Sequence, residues 1–403
     1  MLVTLPSLSI GSMKVIFLLL GFILSQQLLF AQNQLSQAVF QVDYPNPTAD
    51  KPQSKLWYMD NCWWAILPKS TGPSLWQRTE NGWVEHVEIH EKLKGVPGRA
   101  DVYVDDHNLI AVGVEAQQLV VFRLEKNKKW SAEKLATFSL TEKESVETAT
   151  ITLDKNGNGW LAAVAGDKVS VWASNKGLKK WSGPFTLAEG IGKDDICTIT
   201  SLPEGVGVIW SDQINEAVKI RIHNNGNAFN DWEKETIIES GNNTADDHLN
   251  TALSKDGTLW LTTKNSVDEV GGPQFVLRVR TADGKWSNYP YCNLGKVEQP
   301  SRPIILTVEN KPSLILNGYT IYNGQNRHLA NITFGKIDTA QANIIEQVTP
   351  VIVPDTTNWS KNNHINNVTG SKNPLPANAP WIILASDEEG RVYEADLSLY
   401  FNE

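Results

Sequence analysis

Two Asp-Asp-His triplets, Asp105-Asp106-His107 and Asp246-Asp247-His248, carry the same residue types in different surroundings. An imidazole gains and loses a proton near neutral pH, so histidine suits either acid or base work. His248 is followed two residues later by Asn250, and His364 in the same way by Asn366. Candidate cations for an anionic ligand are Arg99, Lys264, Lys372 and Arg302, the last in Ser301-Arg302-Pro303, while Tyr319 and Tyr322 offer phenols. The other histidines promise less. His86 and His90 have an i,i+4 spacing that ligates metal only on a helix, and Val87 and Ile89 alternating with polar residues predict a strand. His223 alternates with Lys219 and Arg221 as on a polar outer strand, and His328 stands alone. Cys62, Cys197 and Cys292 form no CxxC pair, so neither a zinc cage nor a disulfide framework is indicated and at most one disulfide can form. No metal and no cofactor is expected.

The elements that must position these side chains show themselves as a repeat. Thr148 to Leu153, then Asp154-Lys155-Asn156-Gly157-Asn158-Gly159, then Trp160 to Val164 reads as strand, tight turn, strand, with a third strand from Lys168 and a closing Trp181. The same order returns at Asn250 to Trp286 and at Asp101 to Trp130. Counting first strands gives starts near Ser54, Arg99, Glu147, Asp195, Asp247, Arg302 and Asn363, spaced by roughly 45 to 60 residues as propeller blades are. The expected fold is therefore all-β, a seven-bladed β-propeller. After the last start only three strands fit, so Ala38 to Asp43 is expected to supply the fourth and remove the open edges.

In such a ring the first strand of each blade begins at one face beside the axis, and residues at those starts converge on one funnel. The first-to-second strand turns lie on the opposite face. His248, His364, Arg99 and Arg302 are thereby expected at the funnel, Lys264 at its rim and Tyr319 and Tyr322 on a rim loop, with His107 on the far side. The turn Ser254-x-Asp256-Gly257-x-x-Trp260 resembles the Asp-box of sialidase-type propellers, with Asp154 to Trp160 a looser copy, which implies a structural role. Asp154-x-Asn156-x-Asn158 also opens like a calcium loop but lacks the closing Glu.

Bulk composition narrows the partners. The net charge is −9 with acids and bases scattered, which argues against a nucleic-acid footprint. Lys14, the apolar run from Val15 and Ala31 before Gln32 read as a signal peptide over residues 1–31, leaving 32–403 as one propeller domain. No later apolar run reaches the roughly 18 residues of a membrane helix. An exported chain, periplasmic or secreted, is expected, without membrane insertion. Its oligomeric state is open.

Several segments resemble a family of secreted Bacteroidota propellers involved in polysaccharide use. They are Asp246-Asp247-His248-Leu249-Asn250 with Asp256-Gly257-Thr258-Leu259, Lys264 before a short loop, Leu277-Arg278-Val279-Arg280 with Gly284-Lys285-Trp286, Ser301-Arg302-Pro303-Ile304, and Asn366 to Lys372. The likeness covers about the C-terminal 160 residues and is similar to ulvan oligosaccharide dehydratases and, more distantly, to propeller ulvan lyases. Ser301 stands where relatives have Thr, and Asn265-Ser266-Val267 where they have Thr-Ser-Tyr. The resemblance implies β-elimination at a uronic acid, with or without sulfate on the oligosaccharide. In that chemistry a base removes the C5 proton, a cation neutralises the carboxylate and an acid assists departure of the C4 oxygen. For that chemistry the funnel offers His248 and His364 as base or acid, Arg302 as the cation and Tyr319, or else Tyr322, as the phenolic donor, with Arg99, Lys264, Lys372, Asn250, Asn366 and Tyr322 as binding residues. The alternatives are a glycoside hydrolase using two of Asp194, Asp195, Asp246 and Asp247, and a non-catalytic glycan-binding propeller.

Overall fold

The computed structural model describes residues 35–105, 109–241, 243–244, 246–323, 330–341, 343–354 and 365–401. They form seven four-stranded antiparallel sheets, each running in sequence order from the inside out except the last. The innermost strands are Leu56–Met59, Arg99–Val104, Ala149–Leu153, Cys197–Ser201, Leu249–Leu253, Glu298–Val308 and Asn366–Thr369. Blade seven takes its outer strand from the N-terminal side, Phe40–Gln41, whose Phe40 pairs with Val392 and Gln41 with Arg391. That strand is shorter than the Ala38 to Asp43 expected but sits where the deficit required. Among the described residues no helix is long and apolar enough to cross a membrane.

The blades adhere because alternate residues of each strand enter the seam with the next blade. Trp160, fully buried, packs with Trp210 and partly buried Phe229 between blades three and four. The Asp-box likeness is realised. Asp154 Oδ1 accepts the Asn156 and Asn158 amides while Oδ2 accepts the Trp160 indole at 3.2 Å, and the Trp260 indole donates to Ser254 Oγ at 2.8 Å. Asp154 is thus spent on its own turn rather than on a cation.

Two local expectations fail. Val87–Leu93 is a helix, because Ile89 and Leu93 one turn apart both bury against blades one and two, a tertiary reward that overrides the alternation of Val87 and Ile89. Its histidines go separate ways. His86 Nε2 meets Gln77 Oε1 at 3.0 Å, and His90 Nε2 meets Thr71 Oγ1 at 3.0 Å. His223 is buried rather than outward, 4.4 Å from the Trp160 ring and with Nε2 3.0 Å from the Ala228 carbonyl. The three cysteines are free.

Between the outer strand of blade seven and the inner strand of blade one, residues 42–54 form a strap across the funnel. Thr48 binds the Asn367 carbonyl and Ser386 of blade seven, at 2.7 Å each. Asp50 pairs with Arg99 of blade two at 2.8 Å, Lys51 pairs with Asp247 of blade five, and Gln53 donates to the Ala149 carbonyl of blade three at 3.2 Å. Beneath it, fully buried Asp101 accepts the amides of Ser54 and Ile151, each at 2.8 Å, tying three blades at the axis.

Candidate functional site

Where blades five, six and seven meet at the funnel, a cavity of about 640 Å³ is lined by His248, Lys264, Gln274, Arg302, Tyr322 and Asn366, with Asp268 and Glu388 on its wall. Three consecutive blades contribute because the starts of neighbouring inner strands must adjoin. His248 immediately precedes Leu249–Leu253, Arg302 lies within Glu298–Val308 and Asn366 opens Asn366–Thr369. Lys264 ends the second strand of blade five, Leu259–Lys264, and Tyr322 lies near the end of Lys311–Asn323 in blade six, so both reach the same rim.

His248 is 6% exposed, and its Nδ1 lies 2.5 Å from Asp246 Oδ1 and 2.6 Å from Asp247 Oδ1. The opposite oxygen of each carboxylate is taken by a lysine: Lys264 Nζ lies 2.5 Å from Asp246 Oδ2, and Lys51 binds Asp247 Oδ2. Burial alone would raise the Asp247 carboxyl, but hydrogen bonds with His248 and Asp246 and the charges of His248 and Lys51 outweigh it and hold it far below the usual range. Acceptors on Nδ1 fix the proton there and leave Nε2 as the basic nitrogen. His248 Nε2 is buried and has no hydrogen-bond partner among the described residues.

Arg302 of blade six lines the same cavity. Pairing along the inner strand jumps between Ser301 and Ile304, so Arg302-Pro303 forms an irregularity that turns the guanidinium out of the ladder. The cost shows in Arg302, whose φ of 54° lies in the left-handed region that a side chain rarely adopts. Arg302 Nε donates to Asn367 Oδ1 at 2.7 Å and NH1 to Tyr322 Oη at 2.8 Å, while Tyr322 donates onward to Asn366 Oδ1 at 2.6 Å. Both recorded partners of the guanidinium are neutral, and among the described residues no carboxylate pairs with it. Its charge is therefore available to an anion in the cavity.

Other predicted residues lie elsewhere. Tyr319 is not in the cavity: it is 3% exposed, stands edge-on to Phe275 at 5.5 Å, and burial pushes its phenol far above the usual range. Its place beside Tyr322 in one strand gave it the wrong face, since residues three apart point to opposite sides of a sheet. Lys372 follows the inner strand of blade seven rather than opening it, so it sits at the strand's other end, paired with Asp101 and lining a separate cavity of about 400 Å³. Arg99 belongs to the funnel but is held by Asp50 of the strap. Asn250 is spent between blades, its Oδ1 accepting the Ile305 amide at 2.9 Å. His364 and His107 lie outside the described residues.

The carboxylates named for hydrolysis divide. Asp195 is 2% exposed, accepts the amides of Gly192 at 2.7 Å and Gln213 at 3.1 Å, and burial raises its carboxyl. Asp194, Asp247 and Glu147 each bring an oxygen within 4.8 Å of the others, and Asp246, Asp247 and His248 do likewise. A cation among the latter would have to displace Lys264 and Lys51, which already balance both charges.

Sequence reasoning missed Lys51, Asn367 and Gln274. Gln274 is 4% exposed and its Oε1 has no partner among the described residues, so the cavity wall holds an unpaired amide end. No local motif marks these residues, although Asn367 adjoins Asn366, already singled out. A larger cavity of about 670 Å³ between blades one and two has its charges paired internally, Lys126 with Asp60 and Arg123 with Glu125 and Glu133. Among the described residues it lacks a convergent set of free groups.

The fold and this funnel define a seven-bladed β-propeller with a histidine- and arginine-bearing cavity on one face. No protein-family model matches the chain, and no curated protein matches it. Among solved structures it is similar to the polysaccharide lyase Uly1, at 10% identity and a TM-score of 0.47 over 91% of this chain and 95% of that one. It is also similar to the Penicillium chrysogenum α-L-arabinanase complexed with arabinobiose, at 12% identity and 0.43 over 75% and 99%. The Fusarium graminearum α-L-arabinofuranosidase Arb93A gives 10% and 0.43 over 77% and 99%. These propellers include both a lyase and hydrolases, and the likeness is one of architecture.

Proposed function

We propose that this protein is a carbon–oxygen lyase that eliminates across C4 and C5 of a uronic acid at the non-reducing end of ulvan-type oligosaccharides. The observation that carries the proposal is His248, with Nδ1 held by two carboxylates and Nε2 without a partner among the described residues, in one cavity with Arg302, whose guanidinium pairs with no described carboxylate. His248 Nε2 takes the C5 proton as the C4–O bond breaks and the C4=C5 bond forms. Arg302 binds the substrate carboxylate, which must carry the charge released at C5, and a fixed cation there stabilises the transition state more than the ground state. Tyr322 delivers a proton to the departing oxygen, and the Arg302 bond to Oη stabilises the phenolate left behind. The proton on His248 then returns to solvent and Tyr322 is reprotonated, so the cycle closes without a co-reactant. If the leaving group is a hydroxyl the product is water; if a sugar, the reaction is a chain cleavage.

The chain is proposed to work in the periplasm or beyond it, as the N-terminal segment suggests. Incubation with ulvan oligosaccharides should generate the ultraviolet absorbance of a conjugated unsaturated uronate, with loss of one water in the mass spectrum. New reducing ends without that absorbance would instead favour a hydrolase built on Asp194, Asp247 and Glu147, whose carboxylates adjoin. Saturable binding without turnover would favour a glycan-binding propeller.

A further inference from the structure

Lys51 comes from the strap, not from any blade, yet it reaches the heart of the site. It binds the Asp247 oxygen that faces away from His248, while Lys264 does the same for Asp246 at 2.5 Å. Lys51 is largely buried, with 15% side-chain exposure, so the pair is shielded from salt more than a surface pair would be. Resting on the elimination chemistry proposed above, we propose that Lys51 is a positioning residue for His248: by clamping Asp247 it keeps that carboxylate on the Nδ1 side, so that Nε2 has no carboxylate partner among the described residues.

The charge arithmetic explains why a lysine is needed. Without a counter-charge, the Asp246 and Asp247 carboxylates at Nδ1 would leave two uncompensated negative charges beside the ring. Lys51 and Lys264 cancel them pair for pair. Among the described residues, the other charged groups of the cavity are Arg302 from blade six, Asp268 from blade five and Glu388 from blade seven, with Glu147 and Asp194 beside Asp247. Among the described residues, the lysines that pair with Asp247 and Asp246 are Lys51 and Lys264. The same strap joins blade seven to blade one, so the site is completed only when the ring is closed.

The test is a histidine NMR titration of the full chain, with the His248 signal among the seven histidines assigned by its absence in His248→Gln. In Lys51→Met the His248 midpoint should rise by about one pH unit, the size expected for losing one cation at second-neighbour distance in a partly buried site. The direction follows because removing a positive neighbour favours the imidazolium. The acidic limb of kcat/KM should move upward by the same amount, and Lys51→Arg should restore it. Lys51→Gln serves the same purpose if the methionine variant does not fold. An unchanged His248 midpoint in a folded Lys51 variant overturns the inference. A shifted midpoint in a protein that never turns over uronate oligosaccharides upholds the positioning role and removes the elimination chemistry instead.

Discussion

Replacement of Arg302 separates catalysis from folding. The side chain makes two hydrogen bonds to neutral partners, at 2.7 Å to Asn367 and 2.8 Å to Tyr322, and is half-buried at the cavity wall. Each such bond is worth about 0.5–1.5 kcal/mol net, so Arg302→Ala should cost about 1–3 kcal/mol of stability. In catalysis the same change removes the cation opposite the developing carbanion. Losing a preorganised charge-assisted donor costs about 3–4 kcal/mol of transition-state stabilisation, a fall in kcat of about 10² to 10³. Arg302→Lys should recover only part, because an ammonium cannot hold Tyr322 and a carboxylate in one planar fork. Arg302→Gly supplies a backbone control, since glycine relieves the left-handed φ of 54° and offsets about 1 kcal/mol of the lost bonds without returning activity. The assay is the rate of unsaturated-uronate absorbance beside a urea denaturation curve. A folded Arg302→Ala protein producing unsaturated uronate at the wild-type rate would refute the reasoning.

Tyr322→Phe should lower kcat by about 10² or more, whereas Tyr319→Phe should retain the rate because that phenol lies in the core; equal losses in the two variants would reject Tyr322 as the proton donor. Asp101→Ala should cost about 3–5 kcal/mol in a urea unfolding curve, because it removes two amide acceptors and strands Lys372; a loss under about 1 kcal/mol would show that the axial tie is dispensable. Lys55 is fully buried in the channel and burial, partly offset by Asp50 and Asp101, lowers its ammonium to about 8. The unfolded lysine therefore binds a proton over a range where the folded one does not, so stability attributable to Lys55 rises from about pH 8 toward the unfolded value near 10.4. Between pH 8 and 9.5 the wild type should gain urea stability relative to Lys55→Met, and a constant difference would contradict the lowered ammonium.

Much of the fold was legible because its causes are local. Alternating apolar residues, tight turns at Asp154 to Gly159 and Asp256-Gly257, and a steady blade spacing require only neighbours in sequence, and they placed seven blades and the closing strand. The same regularity brought His248, Arg302, Lys264, Tyr322 and Asn366 to one cavity, since the polarity of antiparallel strands decides which end of each faces the funnel. That rule, applied strictly, would also have set Lys372 at the far end of its strand and allowed only one of Tyr319 and Tyr322 to face the cavity.

What the tertiary structure alone decided was how those side chains are occupied. Lys51 meets Asp247 across 196 residues of sequence, and Lys372 meets Asp101 across 271. No local pattern encodes such pairs, because they depend on the path of a connecting strap and on which blade the closed ring brings opposite it. The sequence therefore determined that a histidine and an arginine would share a funnel, through hydrogen-bonded ladders that repeat from residue to residue. The structure decided that the histidine is flanked by two lysine-held aspartates, because ion pairing follows distance in space and is indifferent to distance along the chain.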